Sequence, residues 1–379
     1  MSSLRYAARA LALSLTLTAS GGFCIAGPSH ASAADSPVGG LQLSGSGVIV
    51  NLGAGTPPPP AMPGASFLLA DMDTGQILVA RAPHAPHLPA STMKMLTALT
   101  LIPLLNPNTS IMVKQEDVNV DGTHVGILPG TAYRVGTLMQ GMLMASGNDA
   151  ADALARGNQG MAATVQEMNA TATDLGASDT VARDPSGLDK ADQHSSAYDL
   201  ALIGRAAMRL PDFRGYVMTR RTVFPGGRSA DGKLIAGFMI SNHNTLLFNY
   251  RGAIGVKNGY TVAAKFTFVE AATRGGKTYL LSEMASPIGT WRPAAAMLDW
   301  AFAHGPSLTP IGALVDPGEP AVTKPTVAVF GQPDPPPAIA PRESARQPAL
   351  ADWIGVAGGV SALALVGGWA WRNISNKRH

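Results

Sequence analysis

The sequence predicts an α+β domain in which strands from the two ends of the folded region form one antiparallel sheet beside a helical middle. Three observations carry this. Ser66 to Ala80 ("SFLLADMDTGQILVA") is two apolar runs around Asp73-Thr74-Gly75, the residues of a tight turn. Between Met93 and Met208 apolar residues recur at helical spacing. Beyond that, "KFTFVEAAT" and "TYLLSEMA" return to strand character around "RGGK", a second hairpin signal.

In chain order, the first segment stands outside the fold. Arg5 and Arg9 precede an apolar run from Ala10 to Leu17, and small residues lead on to Ala31-Ser32-Ala33. A positive start, a short apolar core and an A-x-A site describe a signal peptide over residues 1–33, removed on export. The single cysteine, Cys24, lies inside it, so the mature chain is expected to hold no disulfide and no thiolate chemistry. "GGFC" lacks the apolar residue that a lipoprotein signal carries three places before its cysteine. Residues 34–64 are rich in Gly, Ser and Pro and include "TPPPPAMP", which predicts an extended linker.

One globular domain is expected over residues 65–305. Its first hairpin is followed by helical patterns at Met93 to Leu105, Val135 to Arg156, Gly160 to Leu175 and Ala197 to Met208. The two later strands meet at Gly275-Gly276, which leaves Val256 to Val262 free to be the strand beside them. "PAAAMLDWAFA" closes the domain as a helix. Residues 306–350 fill again with proline and predict a second linker. Trp353 to Trp371 is then nineteen residues without a charge, roughly 27–30 Å as a helix, enough to cross a bilayer core. Trp353, Trp369 and Trp371 suit the two interfaces, and Arg372, Lys377 and Arg378 suit a cytoplasmic end. The expectation is a transmembrane helix over 351–372 and a cytoplasmic tail over 373–379, with the domain held at the outer face of a membrane.

Composition narrows the function. The 46% hydrophobic content against 14% charged is partly explained by the two ends. A formal charge of +3, with no basic run interleaved with aromatics, argues against a nucleic-acid partner. The histidines show no H-E-x-x-H, and the one close pair, His84 and His87, is split by a proline, so no metal or other cofactor is expected.

Three short patterns carry chemistry. Ser91-Thr92-Met93-Lys94 opens a helical stretch just after Pro89-Ala90. Residues three apart on a helix share a face, so a lysine with a lowered pKa there could deprotonate the serine; a helix cap is the competing role for Ser91. Ser146-Gly147-Asn148 interrupts the apolar helical run from Leu138 to Ala155, and is either a plain loop or a hydroxyl and carboxamide aimed into a cleft. Lys257-Asn258-Gly259 has two incompatible readings: an Asn-Gly hairpin turn, or the cleft-side wall of a strand.

Ser-x-x-Lys, Ser-x-Asn and Lys-x-Gly, in that order, are an already known signature of penicillin-binding proteins and class A β-lactamases. The chain resembles the serine-type D-alanyl-D-alanine carboxypeptidases, the low-molecular-mass penicillin-binding proteins. The likeness runs from Ser66 to about Ala303. It includes "LLADMDTGQILVARAPHAPHLPASTMKMLTAL", "LMQGMLMASGNDAADALA", "PSGLDKADQHSSAYDLALIGRAAM" and "NHNTLLFNYRGAIGVKNGYT". By this resemblance Lys257-Asn258-Gly259 is the family's third motif, on a strand at the mouth of the site. The resemblance implies a penicillin-binding/β-lactamase-like transpeptidase fold, removal of the terminal D-alanine from peptidoglycan stem peptides, and β-lactam antibiotics as covalent inhibitors.

The resemblance also implies roles. Ser91 attacks the carbonyl between the two D-alanines, Lys94 takes its proton, and Ser146 relays that proton to the leaving amine. Asn148 positions the peptide, and Lys257 sits near its carboxylate. Gly259 belongs to the same motif, and the N–H groups of Ser91 and Tyr260 form the oxyanion hole. Two departures stand out. The middle of the third motif is usually threonine, whose hydroxyl holds the substrate carboxylate; here it is Asn258, whose amide can donate instead, with Thr261 nearby. A β-rich C-terminal domain found in some members is replaced by the proline-rich stretch and the apolar segment. Two other readings compete: a class A β-lactamase, for which Glu167 is the nearest candidate deacylating glutamate, and a non-catalytic, membrane-tethered peptidoglycan-binding relative with Asn258 as a sign of decay.

Overall fold

The computed structural model describes residues 37–229 and 231–318. The expected signal peptide, membrane helix and cytoplasmic tail lie outside them, as do the first residues of the N-terminal linker and most of the second. Among the described residues no helix is long and apolar enough to cross a membrane.

The centre is a seven-stranded antiparallel sheet. Its strands are β1 (Val48–Val50), β2 (Ser66–Asp71), β3 (Gln76–Arg81), β4 (Ala253–Thr261), β5 (Lys265–Arg274), β6 (Lys277–Ser286) and β7 (Gly312–Ala313). The order across the sheet is β1-β3-β2-β6-β5-β4, with β7 also pairing β3. Both expected hairpins form, β2–β3 around Thr74-Gly75 and β5–β6 around Gly275-Gly276. The join between the two ends of the domain is β2 against β6, in register from Asp71 opposite Tyr279 to Ser66 opposite Met284.

Strand β2 is buried along its whole length because helices cover both faces of the sheet. Successive side chains point to opposite faces. Leu68, Ala70, Val269, Ala271 and Leu280 therefore join one core, with Leu96, Leu138, Leu200 and Ile203 of the helices beside it. Phe67, Leu69, Ala272 and Leu281 join a second core under the last helix, Arg292–His304, with its Met297, Leu298 and Ala301. Burying a side chain of this size contributes about 1.5–3 kcal/mol.

The expected helices are present with trimmed ends: Lys94–Leu101, Val135–Met144, Asn148–Gly157, Met161–Asp174 and Ala197–Ala207. The short pairings Ser110–Met112 with Ala132–Arg134 and Arg221–Phe224 with Phe238–Ser241 were not expected, their strands being too brief to show an alternating pattern.

The linkers need correction. Within residues 34–64, β1 pairs β3, Leu43 and Met62 are buried, and the Pro57 carbonyl accepts from Trp300 Nε1 at 3.0 Å. Within 306–350, β7 pairs β3, Ile311 and Leu314 are buried, and Asp316 pairs with Arg205 at 3.0 Å. Proline-rich, extended chain cannot build a core of its own, but it can lie along the edge of one already built. The domain thus reaches beyond the expected 65–305 at both ends.

Candidate active site

Ala90–Met93 form one turn of 3₁₀-helix that runs into the α-helix Lys94–Leu101. Thr267 of β5 donates its hydroxyl to the Pro89 carbonyl at 2.8 Å and ties this turn to the sheet. Ser91 does not cap the helix. Its Oγ stands 3.0 Å from Lys94 Nζ. Lys94 is fully buried, with Nζ also 2.6 Å from Asn148 Oδ1 and 2.6 Å from the Ser186 carbonyl. Burial brings its pKa down to about 7, against the opposing pull of Asp184, Asp152 and Asp149. A neutral amine has two hydrogens and one lone pair. With the hydrogens given to Asn148 and Ser186, the lone pair is left for the Ser91 hydroxyl, an arrangement that can accept its proton.

Ser146 lies between Val135–Met144 and Asn148–Gly157, in the left-handed region at φ 59, where a residue other than glycine is uncommon. Its Oγ accepts from Lys257 Nζ at 3.2 Å. Asn148 is the first residue of the following helix rather than part of the loop. One of its amide hydrogens goes to the Asp121 carbonyl at 2.6 Å, and its oxygen to Lys94. Its second amide hydrogen has no protein acceptor among the described residues.

Lys257, Asn258 and Gly259 lie inside β4, which pairs with β5 from Ala253 to Thr261, so the hairpin-turn reading is excluded. Alternation puts Lys257, Gly259 and Thr261 on the face toward Ser91 and Ser146. Burial, and then the neighbouring Lys94, hold the Lys257 pKa well below its ordinary value. A Cβ on Gly259 would stand 2.6 Å from the Ser91 nitrogen and 2.7 Å from Thr267 Oγ1, so glycine alone lets the strand pass this close to the serine. Asn258 and Tyr260 point to the other face. Asn258 is half-buried; Tyr260 is exposed, with its ring 4.5 Å from that of Phe266. Thr261 is not brought together with Asn258: it faces the other way and donates its hydroxyl to Asp189 at 2.9 Å.

The chain matches known proteins of one family. The profile of the D-alanyl-D-alanine carboxypeptidases matches residues 54–285. The chain belongs to this family. D-alanyl-D-alanine carboxypeptidase DacB2 of Mycobacterium tuberculosis is 39% identical over 268 residues, 69% of this chain and 89% of that protein. The crystal structure of a D-alanyl-D-alanine carboxypeptidase from M. tuberculosis H37Rv superposes with a TM-score of 0.65 at 39% identity, over 70% of this chain and 100% of that one. The Streptomyces K15 DD-transpeptidase gives a TM-score of 0.61 at 28% identity, over 65% of this chain and 100% of that one.

In this serine-type D-Ala-D-Ala carboxypeptidase, residues that the motifs do not announce also pack around the three motifs. The Ser186 carbonyl reaches Lys94 because Asp184 gathers the N–H groups of Ser186 and Gly187 at 2.8 and 3.0 Å. Gly187 adopts φ 82, and a Cβ there would collide with the Ala90 carbonyl. Asp149 accepts from the N–H groups of Val125, Gly126 and Ile127 at 2.9, 2.8 and 3.1 Å, which fastens the loop after Asp121 over the carboxamide of Asn148. The backbone nitrogen of His243 donates to the carbonyl of Met144, two residues before Ser146, at 2.9 Å. Partial burial, then Lys257 and Lys94, lower the pKa of His243. Turn chemistry in "DPSG" was the one legible signal among these. Glu167, the β-lactamase candidate, lies on Met161–Asp174 with Oε2 bonded to Asn158 Nδ2 at 2.5 Å.

Proposed function

We propose that this carboxypeptidase removes the terminal D-alanine of peptidoglycan stem peptides through an acyl-enzyme on Ser91. The observation that carries the reading is the environment of Lys94: buried, with a pKa of about 7, and 3.0 Å from Ser91 Oγ with two other acceptors taking its hydrogens. Ser91 Oγ attacks the carbonyl between the two D-alanines while its proton passes to Lys94. The N–H groups of Ser91 and Tyr260 stabilise the oxyanion, a contribution of about 3–4 kcal/mol for one donor. The C–N bond breaks as Ser146 delivers the proton to the leaving amine, and free D-alanine departs. Water then hydrolyses the ester and restores the serine. Lys257, whose pKa burial holds well below its ordinary value in the free protein, lies where the substrate's terminal carboxylate favours its protonated form. Asn148 holds the peptide with its remaining amide hydrogen.

β-Lactams are proposed to acylate the same serine. The test is a fluorescent penicillin with Lys94→Arg, which keeps the charge but cannot deprotonate near neutral pH. Labelling of Ser91 and D-alanine release are both expected to disappear with the circular dichroism unchanged. Near-normal turnover would remove Lys94 from the base role. The domain is further proposed to be exported and tethered at the outer face of the membrane by the apolar run Trp353 to Trp371. Deleting Asp352 to His379 is expected to release active enzyme from the membrane fraction, and retention there would defeat the anchor.

A further inference from the structure

Strand β4 meets a different wall at each of its three cleft-facing positions. Lys257 reaches Ser146, Gly259 passes against the Ser91 nitrogen, and Thr261 donates to Asp189 Oδ1 at 2.9 Å. Thr261 Oγ1 also accepts from the Ala264 nitrogen at 2.9 Å, so the turn behind it holds this donor in place. Asp189 is exposed and follows Ser186-Gly187-Leu188, the loop whose carbonyl engages Lys94. Among the described residues no Lys, Arg or His forms an ion pair with Asp189. An anchored carboxylate with no ion-pair partner among the described residues therefore stands at the end of the cleft.

We propose that Asp189 is a specificity residue that receives a side-chain ammonium on the substrate residue preceding the two D-alanines. The inference rests on the Ser91 acyl-enzyme reading. In that reading the terminal carboxylate lies level with Lys257 and Asn258, and the reacting carbonyl level with the Tyr260 N–H. The peptide then runs antiparallel to β4. Each further residue toward its N-terminus advances about 3.3 Å along the strand. The first such step brings the preceding residue level with Thr261, and so with the carboxylate that Thr261 holds. A cation there is attracted, while a neutral or acidic side chain is not.

The test compares two peptides, Nα-acetyl-L-lysyl-D-alanyl-D-alanine with its ε-amine free or acetylated, by D-alanine release. The wild-type protein is expected to favour the free amine roughly five- to tenfold in kcat/KM, mostly through KM, the scale of one partly exposed charge-assisted hydrogen bond. Raising the salt should shrink that preference. Asp189→Asn still offers Thr261 an amide oxygen but removes the charge, and should bring the two peptides within about twofold of each other. Asp189→Glu should restore part of the preference. No preference in the wild type, or a preference that survives Asp189→Asn, overturns the proposal. Equal losses on both peptides with the ratio kept would make Asp189 only a tie between loop and strand, and overturn it as well. Fluorescent penicillin run alongside separates the two levels. If Ser91 is labelled, a missing preference sinks this inference alone; if neither peptide nor penicillin reacts, the acyl-enzyme reading falls and takes the inference with it.

Discussion

At Lys94 the chemistry reduces to one titration. Its pKa of about 7 comes from burial, so the neutral form, the only one that can take the Ser91 proton, grows as the pH rises. Acylation by penicillin should therefore climb close to tenfold per unit below about pH 7 and level off above it. A flat profile from pH 5 to 8 would mean that another group supplies the base. Asn258 gives a second expectation at the same scale. It lies in a regular strand rather than a turn, so Asn258→Thr meets no backbone obstacle and should leave the melting temperature unchanged. Its side chain points to the face away from Ser91 and Ser146, so kcat/KM toward D-Ala-D-Ala peptides should stay within about threefold of the wild type. A loss of about tenfold or more at unaltered stability would show that the Asn258 side chain reaches the substrate around the edge of β4.

Among the elements, the decisive contact is β4 against the turn Ala90–Met93. Three groups set that distance: Gly259 by lacking a side chain, Thr267 by its bond to the Pro89 carbonyl, and Gly187 by leaving room for the Ala90 carbonyl. Gly259→Ala would place a methyl 2.6 Å from the Ser91 nitrogen, and the strand must retreat. The sheet has ample pairing elsewhere, so the fold should survive. Acylation should drop by about a hundredfold or more, the cost of misplacing an oxyanion donor. Penicillin labelling at the wild-type rate in a folded Gly259→Ala protein would show that this close pass does not matter. The elements also explain which strands could be read in advance. Strands β2, β5 and β6 run six to ten residues with turns of Gly and Asp between them, and their patterns are plain. β1 and β7 have three and two residues in proline-rich surroundings, too short for any periodicity to register.

At the scale of the whole domain, the face of the sheet away from Ser91 carries a charge problem. Glu270 and Glu283 are both buried there, and burial, aided by Glu283, pushes the Glu270 pKa up to about 8. Burial raises Glu283 to about 7, with the Gly64 nitrogen and Arg81 opposing. An acid whose folded pKa is raised keeps its proton in the fold while the unfolded chain loses it above about pH 4.5, so stability falls as the pH rises. The decline for Glu270 should run from about pH 4.5 to pH 8 and stop there, at no more than ~1.4 kcal/mol per unit. Urea unfolding across this range should show the slope, and Glu270→Gln should flatten it. An unchanged slope in that variant would assign the pH dependence to other groups.

Taken alone, the amino-acid sequence determined the α+β class, the two hairpins, the helical middle and the three motifs, because each is a local pattern of periodicity, turn residues or fixed spacing. It also showed that Asn258 stands where the family carries threonine. It left open whether Ser91 was a cap and whether Asn258-Gly259 was a turn, since both depend on what lies opposite in space. Tertiary structure decided those, and the placement of Asp184, Asp149, Asp189 and His243. These lie from 58 to 152 residues beyond Ser91 along the chain, or act through backbone atoms that every residue type shares. Apart from the turn residues around Asp184, nothing in their local sequence distinguishes a carboxylate that gathers N–H groups from one that faces water. That difference exists only once β4, the turn at Ser91 and the loop at Ser186 are packed together, where burial changes the pKa of Lys94 and gives each partner its role.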